Sequence, residues 1–248
     1  MSETITSEST RNAPAEQRRE PGGPGRTIIT GGASGLGAAI AQAVAAAGGT
    51  PIVLDLAPSA DAHESHVADV SDTRALERTI AEVAEQHGGL DAIVTAAGID
   101  RCGPLDGVDA VEWERVIAVN LLGTAAAVRA ALPHLEASGG RVVTVASTLA
   151  LKGAADATAY CASKFGVLGF SRALAAETKG RVGVTTLIPG GMRTAFFDDR
   201  DEQYRPGADA KLNDPADVAN AVVFALSQPP GCEVRELLVC PAEETSWP

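Results

Sequence analysis

Short apolar runs alternate with helix-patterned stretches along nearly all of this 248-residue chain, and that alternation leaves few ways to fold. Strands separated by helices have to be joined by crossovers, so they run parallel in one sheet whose two faces are both covered. The runs predict strands at Arg26–Thr30, Pro51–Leu56, His66–Asp69, Leu90–Thr95, Arg141–Ala146, Val182–Ile188 and Glu233–Val239. Between them lie an Ala-rich helix over Gly35–Ala47 and a second running to His87, capped by Ser71-Asp72-Thr73, with Leu76, Ile80 and Val83 on its buried stripe. Further helices are expected over Val111–Leu135, Thr158–Thr178 and Pro215–Leu226, the last opened by Pro215 and Asp217. The expected architecture is therefore α/β, a doubly wound parallel sheet of seven strands with helices on both faces, in one domain over 26–248. Residues 1–25 have no apolar core segment, are rich in Ser, Glu, Arg, Pro and Gly, and read as a disordered leader.

Composition serves mainly to exclude. A net charge of −12 argues against nucleic acid and anionic membrane as partners, and no run has the apolar length expected of a membrane helix. Cys102, Cys161, Cys232 and Cys240 show neither C-x-x-C nor zinc spacing, which suits reduced thiols in a cytoplasmic protein. His63 and His66 are read as flanking a short strand rather than as ligands, so no metal is expected.

The first strand is followed by Thr30-Gly31-Gly32-Ala33-Ser34-Gly35-Leu36-Gly37. Glycines at such a turn let the backbone approach a pyrophosphate, and the helix that follows offers free N–H groups and the positive end of its dipole. Asp55, at the end of the second strand, is placed to accept hydrogen bonds from ribose hydroxyls. It would also repel a 2′-phosphate by roughly 1 to 4 kcal/mol at contact, and no Arg or Lys stands at Ala33, Ser34 or Leu56 to offset it. NAD is thus preferred over NADP.

Tyr160 and Lys164, four apart, share one helical face. A bare Tyr-x-x-x-Lys is ordinarily a packed Tyr beside a solvated Lys. With Ser147 upstream, however, the set can move a proton to or from a carbonyl oxygen, the ammonium favouring the phenolate.

With these motifs in order, the chain resembles the short-chain dehydrogenase/reductase family over Arg26–Val239, which implies a Rossmann-type fold. The resemblance assigns the cofactor turn to Thr30, Gly31, Ser34, Gly35, Leu36 and Gly37, and the adenine contact to Asp69-Val70. The family's Asn-Asn-Ala-Gly appears as Thr95-Ala96-Ala97-Gly98, so backbone contacts at Ala97 and Gly98 remain while both Asn side chains are missing. Pro189, Gly190, Met192 and Thr194, with Ile188, would lie near the nicotinamide. Ser147, Tyr160 and Lys164 match the catalytic set, Tyr160 as acid/base, Lys164 also on the nicotinamide ribose, and Ser147 holding the substrate oxygen. Asn120 would support a water-linked proton path through a local kink. The family's terminal Asp-Gly-Gly is replaced by Cys240-Pro-Ala-Glu-Glu-Thr-Ser-Trp247-Pro.

The implied activity is NAD-dependent interconversion of a secondary alcohol and a ketone, with Leu149, Asp156, Gly191, Phe196 and Phe197 as candidate pocket residues. Two alternatives stay open: an NADPH-dependent ketoreductase of the 3-oxoacyl thioester type, which Asp55 disfavours, and a non-catalytic dinucleotide-binding sensor, which the intact Tyr and Lys disfavour. Apolar residues beyond a one-sided stripe, among them Leu121, Leu122, Ala125–Val128, Leu168 and Phe170, suggest association. The resemblance makes it a homotetramer or homodimer.

Overall fold

β1 (Arg26–Thr30) and β2 (Thr50–Asp55) are apolar on both sides because helices cover both faces of the sheet they found. The computed structural model describes residues 22–244; the leader expected over 1–25 lies, but for its last four residues, outside the described residues, as do the last four of the chain. β3 (Glu64–Val67), β4 (Ala92–Thr95), β5 (Arg141–Val145), β6 (Gly183–Pro189) and β7 (Glu236–Val239) complete a seven-stranded sheet of order β3-β2-β1-β4-β5-β6-β7, every neighbouring pair parallel. Strand order reverses between β1 and β4, which opens a crevice at the carboxyl ends of the strands.

Alternation along each strand divides the core in two. Ile28, Ile52, Leu54 and Ile93 face α2 (Thr73–Gln86) and α4 (Thr124–Ser138). Ile29, Val53, Val94 and Leu187 face α1 (Gly35–Ala46) and α6 (Pro215–Leu226). Burying one such side chain contributes about 1.5–3 kcal/mol. Three helices open on aspartates: Asp72 accepts from Ala75 N, Asp109 from Val111 N and Glu112 N, and Asp214 from Ala216 N ahead of Pro215. α4 ends at Gly139, φ +65°, the left-handed C-terminal geometry that glycine permits.

Several expected boundaries move. β3 forms two residues earlier than predicted, its register with β2 starting at Ile52↔Glu64, so Asp69 falls beyond the strand in a turn with Ser71. β7 is shorter than its apolar run, because residues 233–235 approach β6 as a loop held by Thr185 Oγ1 to Val234 O and Thr186 N to Arg235 O. The helix expected over Val111–Leu135 spans 110–138 in three parts: α3 (Ala110–Ile117), a π-helical turn (Ala118–Gly123) and α4. By length and composition this stretch can cross a membrane, contrary to the sequence expectation, yet 50% of its most apolar window is buried within the fold. Much of the apolar surplus is core: Ala126, Ala127, Val128 and Leu168 are buried, leaving Leu122 and, on α5 (Thr158–Glu177), Phe165 exposed.

Candidate active site

The crevice is a cavity of about 500 Å³ running from the glycine turn, past the ends of β2 and β4, to the loops that follow β5 and β6. At its first end Gly31 has φ +71°, and a Cβ there would sit 2.6 Å from Ala97 Cα; a Cβ on Gly37 would come within 2.0 Å of Gly31 O. Only glycine lets the turn fold this tightly against β4 and α1. Ser34 makes no side-chain bond to the helix it precedes, and the first turn of α1 holds no acidic residue, so neither neutralises the positive end of α1, where residues 34–37 line the cavity. Asp55 Oδ2 accepts from Ala33 N at 2.9 Å, which fixes the carboxylate beside the turn. Asp69 is held below the usual carboxylate range by hydrogen bonds from Ser71, with Arg115 nearby. Val70, Ala97, Gly98, Pro189, Gly190, Met192 and Thr194 also line the cavity. Thr30 does not; its Oγ1 accepts from Ala97 N at 3.4 Å and so supports the wall from behind. Ile188 is core, packed with Val167 and Leu168. Thr95, standing where the resemblance has asparagine, is buried with its Oγ1 unpartnered among the described residues, so the bracing bond is lost rather than replaced.

Ser147, Tyr160 and Lys164 meet on one wall. Ser147 caps a single 3-10 turn (Thr148–Ala150), its Oγ accepting from Leu149 N at 3.1 Å. Lys164 Nζ donates to Val145 O at 2.8 Å and lies 5.6 Å from the Tyr160 ring centroid. The ammonium therefore does not rest on the phenol oxygen, and burial dominates both groups. Burial pushes the Tyr160 phenol up to about 12, opposed by a hydrogen bond with Ser147, and brings Lys164 down to about 8. This is opposite to the lowered phenol expected from the sequence.

Asn120 is 1% exposed and does not line the cavity. It sits in the π-helical turn, where Oδ1 accepts from Ile99 N at 2.8 Å and Nδ2 donates to Ile99 O at 2.9 Å and Ser163 Oγ at 3.0 Å. A Cβ on Gly98 would meet Asn120 Oδ1 at 3.4 Å and Lys164 Nζ at 3.6 Å, so the two side chains flank that glycine. The kink anticipated from the sequence is thus this widened turn, and its side chain ties the segment after β4 to α5.

Of the candidate pocket residues, Leu149, Gly191, Phe196 and Phe197 line the cavity. Asp156 does not; it has φ +58° and accepts from Tyr204 Oη at 3.1 Å. Sequence reading missed Arg115 and Arg200, both on the wall, and Asp100 beneath Arg200. Neither arginine belongs to a motif, and Asp100 and Arg200 lie 100 residues apart, so no local spacing could have paired them.

A family model for short chain dehydrogenases matches residues 26–205. A D-threitol dehydrogenase of Mycolicibacterium smegmatis is 39% identical over 176 residues, 65% of this chain and 68% of its own. The 2,5-dichloro-2,5-cyclohexadiene-1,4-diol dehydrogenase LinX of Sphingobium indicum is 34% identical over 220 residues, 81% of this chain and 88% of its own. Among solved structures, an alcohol dehydrogenase of the archaeon Thermococcus sibiricus, complexed with 5-hydroxy-NADP, has the same fold, with a TM-score of 0.79 at 24% identity over 89% of this chain and 98% of that one. The chain belongs to the short-chain dehydrogenase/reductase family. It is an NAD(P)-dependent oxidoreductase acting on CH–OH groups.

Proposed function

We propose that the protein interconverts a secondary alcohol and a ketone with NAD as the preferred cofactor and Tyr160 as the acid/base. One observation carries this reading: Ser147, Tyr160 and Lys164 share a wall of the same cavity whose other end is the glycine turn and Asp55. The residues there fit a dinucleotide. Gly31 and Gly37 leave room for a pyrophosphate against the start of α1, Asp55 suits the ribose diol, and Asp69-Val70 suit the adenine. Once bound, the nicotinamide supplies the hydride acceptor or donor. Met192, Thr194, Pro189 and Gly190 would orient it, and Lys164 would hold its ribose.

Ser147 Oγ holds the substrate oxygen while Tyr160 exchanges a proton with it. In the resting site Tyr160 keeps its proton, ready for a carbonyl oxygen. Accepting a proton from an alcohol requires the phenolate, which positive charge brought nearby favours. Asn120 positions the segment beside Lys164 through Ile99 and Ser163.

The D-threitol and diol dehydrogenases among the relatives support an alcohol substrate. Exposed Leu122 and Phe165 support a homodimer or homotetramer, and the four free thiols support a cytoplasmic setting. The test is a panel of secondary alcohols and ketones with NAD(H) and NADP(H), read at the reduced-nicotinamide absorbance. Turnover with NAD(H) exceeding that with NADP(H) is expected; equal or better use of NADP(H) removes the cofactor preference.

A further inference from the structure

One buried ion pair at the cavity wall stands apart from the Ser147, Tyr160 and Lys164 set, although both its charges act on Tyr160 from a distance. Asp100, whose side chain is 3% exposed, accepts from Arg200 Nη2 at 2.7 Å, Arg101 N at 2.7 Å and Cys102 Sγ at 3.2 Å. Burial pushes the Cys102 thiol up to about 12, so it stays a donor to that carboxylate. Buried, with both oxygens engaged, and absent from the cavity lining, Asp100 does not itself meet a ligand; it serves to cancel the charge of Arg200. Such a pair is weak evidence for stability, since desolvating both ions offsets much of their attraction.

Arg200 faces the cavity together with Ser147 and Tyr160. Its guanidinium carbon lies 4.6 Å from the Phe197 ring centroid and 5.3 Å from that of Phe196, whose own ring is 5.8 Å from Tyr160. A planar cation with rings against its faces presents its N–H bonds edge-on. Of five N–H bonds, the protein accepts one from Nη2 at Asp100 and one from Nη1 at Tyr204 O, 3.3 Å. Nε is shielded from solvent and has no acceptor among the described residues. What remains for a ligand in the cavity is one N–H bond on each of Nη1 and Nη2 without an acceptor among the described residues, Nε being out of its reach. The charge decides the ligand's chemistry: a lone arginine selects carboxylate or phosphate, whereas one neutralised by a buried aspartate donates to an uncharged oxygen without the pull on an anion.

We propose that Arg200, neutralised by Asp100, selects substrates that carry a second, uncharged oxygen beside the reacting carbon, that is polyols and hydroxyketones rather than simple alcohols or keto acids. This rests on the alcohol–ketone reading above and narrows its substrate class.

Three four-carbon ketones test it with NADH: acetoin, with a hydroxyl beside the carbonyl; butanone, without it; and acetoacetate, with a carboxylate one carbon further out. The wild type is expected to favour acetoin over butanone by at least about tenfold in kcat/KM. Arg200→Met should lower acetoin turnover more steeply than butanone turnover, so that the ratio collapses towards one. Asp100→Asn, which keeps the shape but frees the cation, should raise acetoacetate relative to acetoin. NADH titration by fluorescence confirms that each variant is folded. A wild-type ratio near one, a preference for acetoacetate, or equal losses on both ketones in Arg200→Met would overturn the proposal while leaving the alcohol–ketone reading in place. No turnover of any of the three, with NADH bound, would overturn that reading and the proposal with it.

Discussion

At the dinucleotide end the cavity wall is mostly backbone: Gly31, Gly35 and Gly37, the positive end of α1, and the peptides at Ala97 and Gly98. At the end proposed for the substrate it is side chains from separate loops, among them Leu149, Phe196, Phe197 and Arg200, the last lying over both phenyl rings and tied from behind to Asp100. The first end, proposed to hold features shared by all dinucleotides, is built mainly on one strand–turn–helix unit with the ends of β2 and β4 beside it. The second is assembled from the segments after β4, β5 and β6, and each long-range bond there can change without disturbing the sheet. On the proposed reading, general binding lies in local geometry and selectivity in distant pairings.

The sharpest way to separate the two ends is Tyr160→Phe, which should cut kcat by about 10²–10⁴-fold while NADH affinity holds. Retention of more than about a tenth of the activity would sink the acid/base assignment. Gly37→Ala attacks the other end. Its Cβ would strike the Gly31 carbonyl at 2.0 Å, so a loss of at least about 1–3 kcal/mol in stability is expected, along with weaker NADH binding. A normal melting temperature with normal affinity would show that the turn tolerates more than the backbone contact implies.

A smaller effect is predicted in the pH dependence of the ligand-free protein. Lys164 falls from an ordinary 10.5 to about 8 in the fold, so between those values the unfolded chain binds the extra proton and stability rises with pH. Tyr160 moves from 10 to about 12, the folded chain then holds the extra proton, and its contribution is lost as pH climbs through that higher window. Denaturant unfolding of wild type against Lys164→Met should show the difference shifting in the wild type's favour from about pH 8 to about pH 10; a flat difference would contradict the buried ammonium. The smallest effect belongs to the strand between the two ends. Thr95→Val removes a buried hydroxyl without a hydrogen bond, and should change stability by no more than about 1 kcal/mol, in the stabilising direction. A clear destabilisation would mean that this hydroxyl has a partner in solution.

What the sequence made legible follows the same division. The order of strands and helices, the glycine turn, Asp55 and the Tyr160–Lys164 face are all encoded by spacing over a few residues to a few tens, and the structure brings each to the same crevice. The lowered phenol did not survive, because helical spacing fixes which face Lys164 shares with Tyr160 but not that its ammonium turns to Val145 O. Asp156 was placed in the pocket by position and proved to serve Tyr204 instead. Arg200 and Asp100 gave no sign at all, since an ion pair across 100 residues has no periodicity.

The widened turn at Ala118–Gly123 gives this enzyme an uneven tolerance to changes in length. A π turn accommodates one residue more than an α turn would, and each residue of an α-helix advances the chain by about 100°. Deleting one residue between 118 and 123 would let α3 and α4 merge into a regular helix, a gain for the helix in isolation. It would also swing Asn120 away from Ile99 and Ser163, and rotate Trp113, whose Nε1 donates to Thr158 Oγ1, relative to Ala126 and Ala127 in the core. A repair that regularises this helix would therefore unfasten α5, the helix that carries Tyr160 and Lys164.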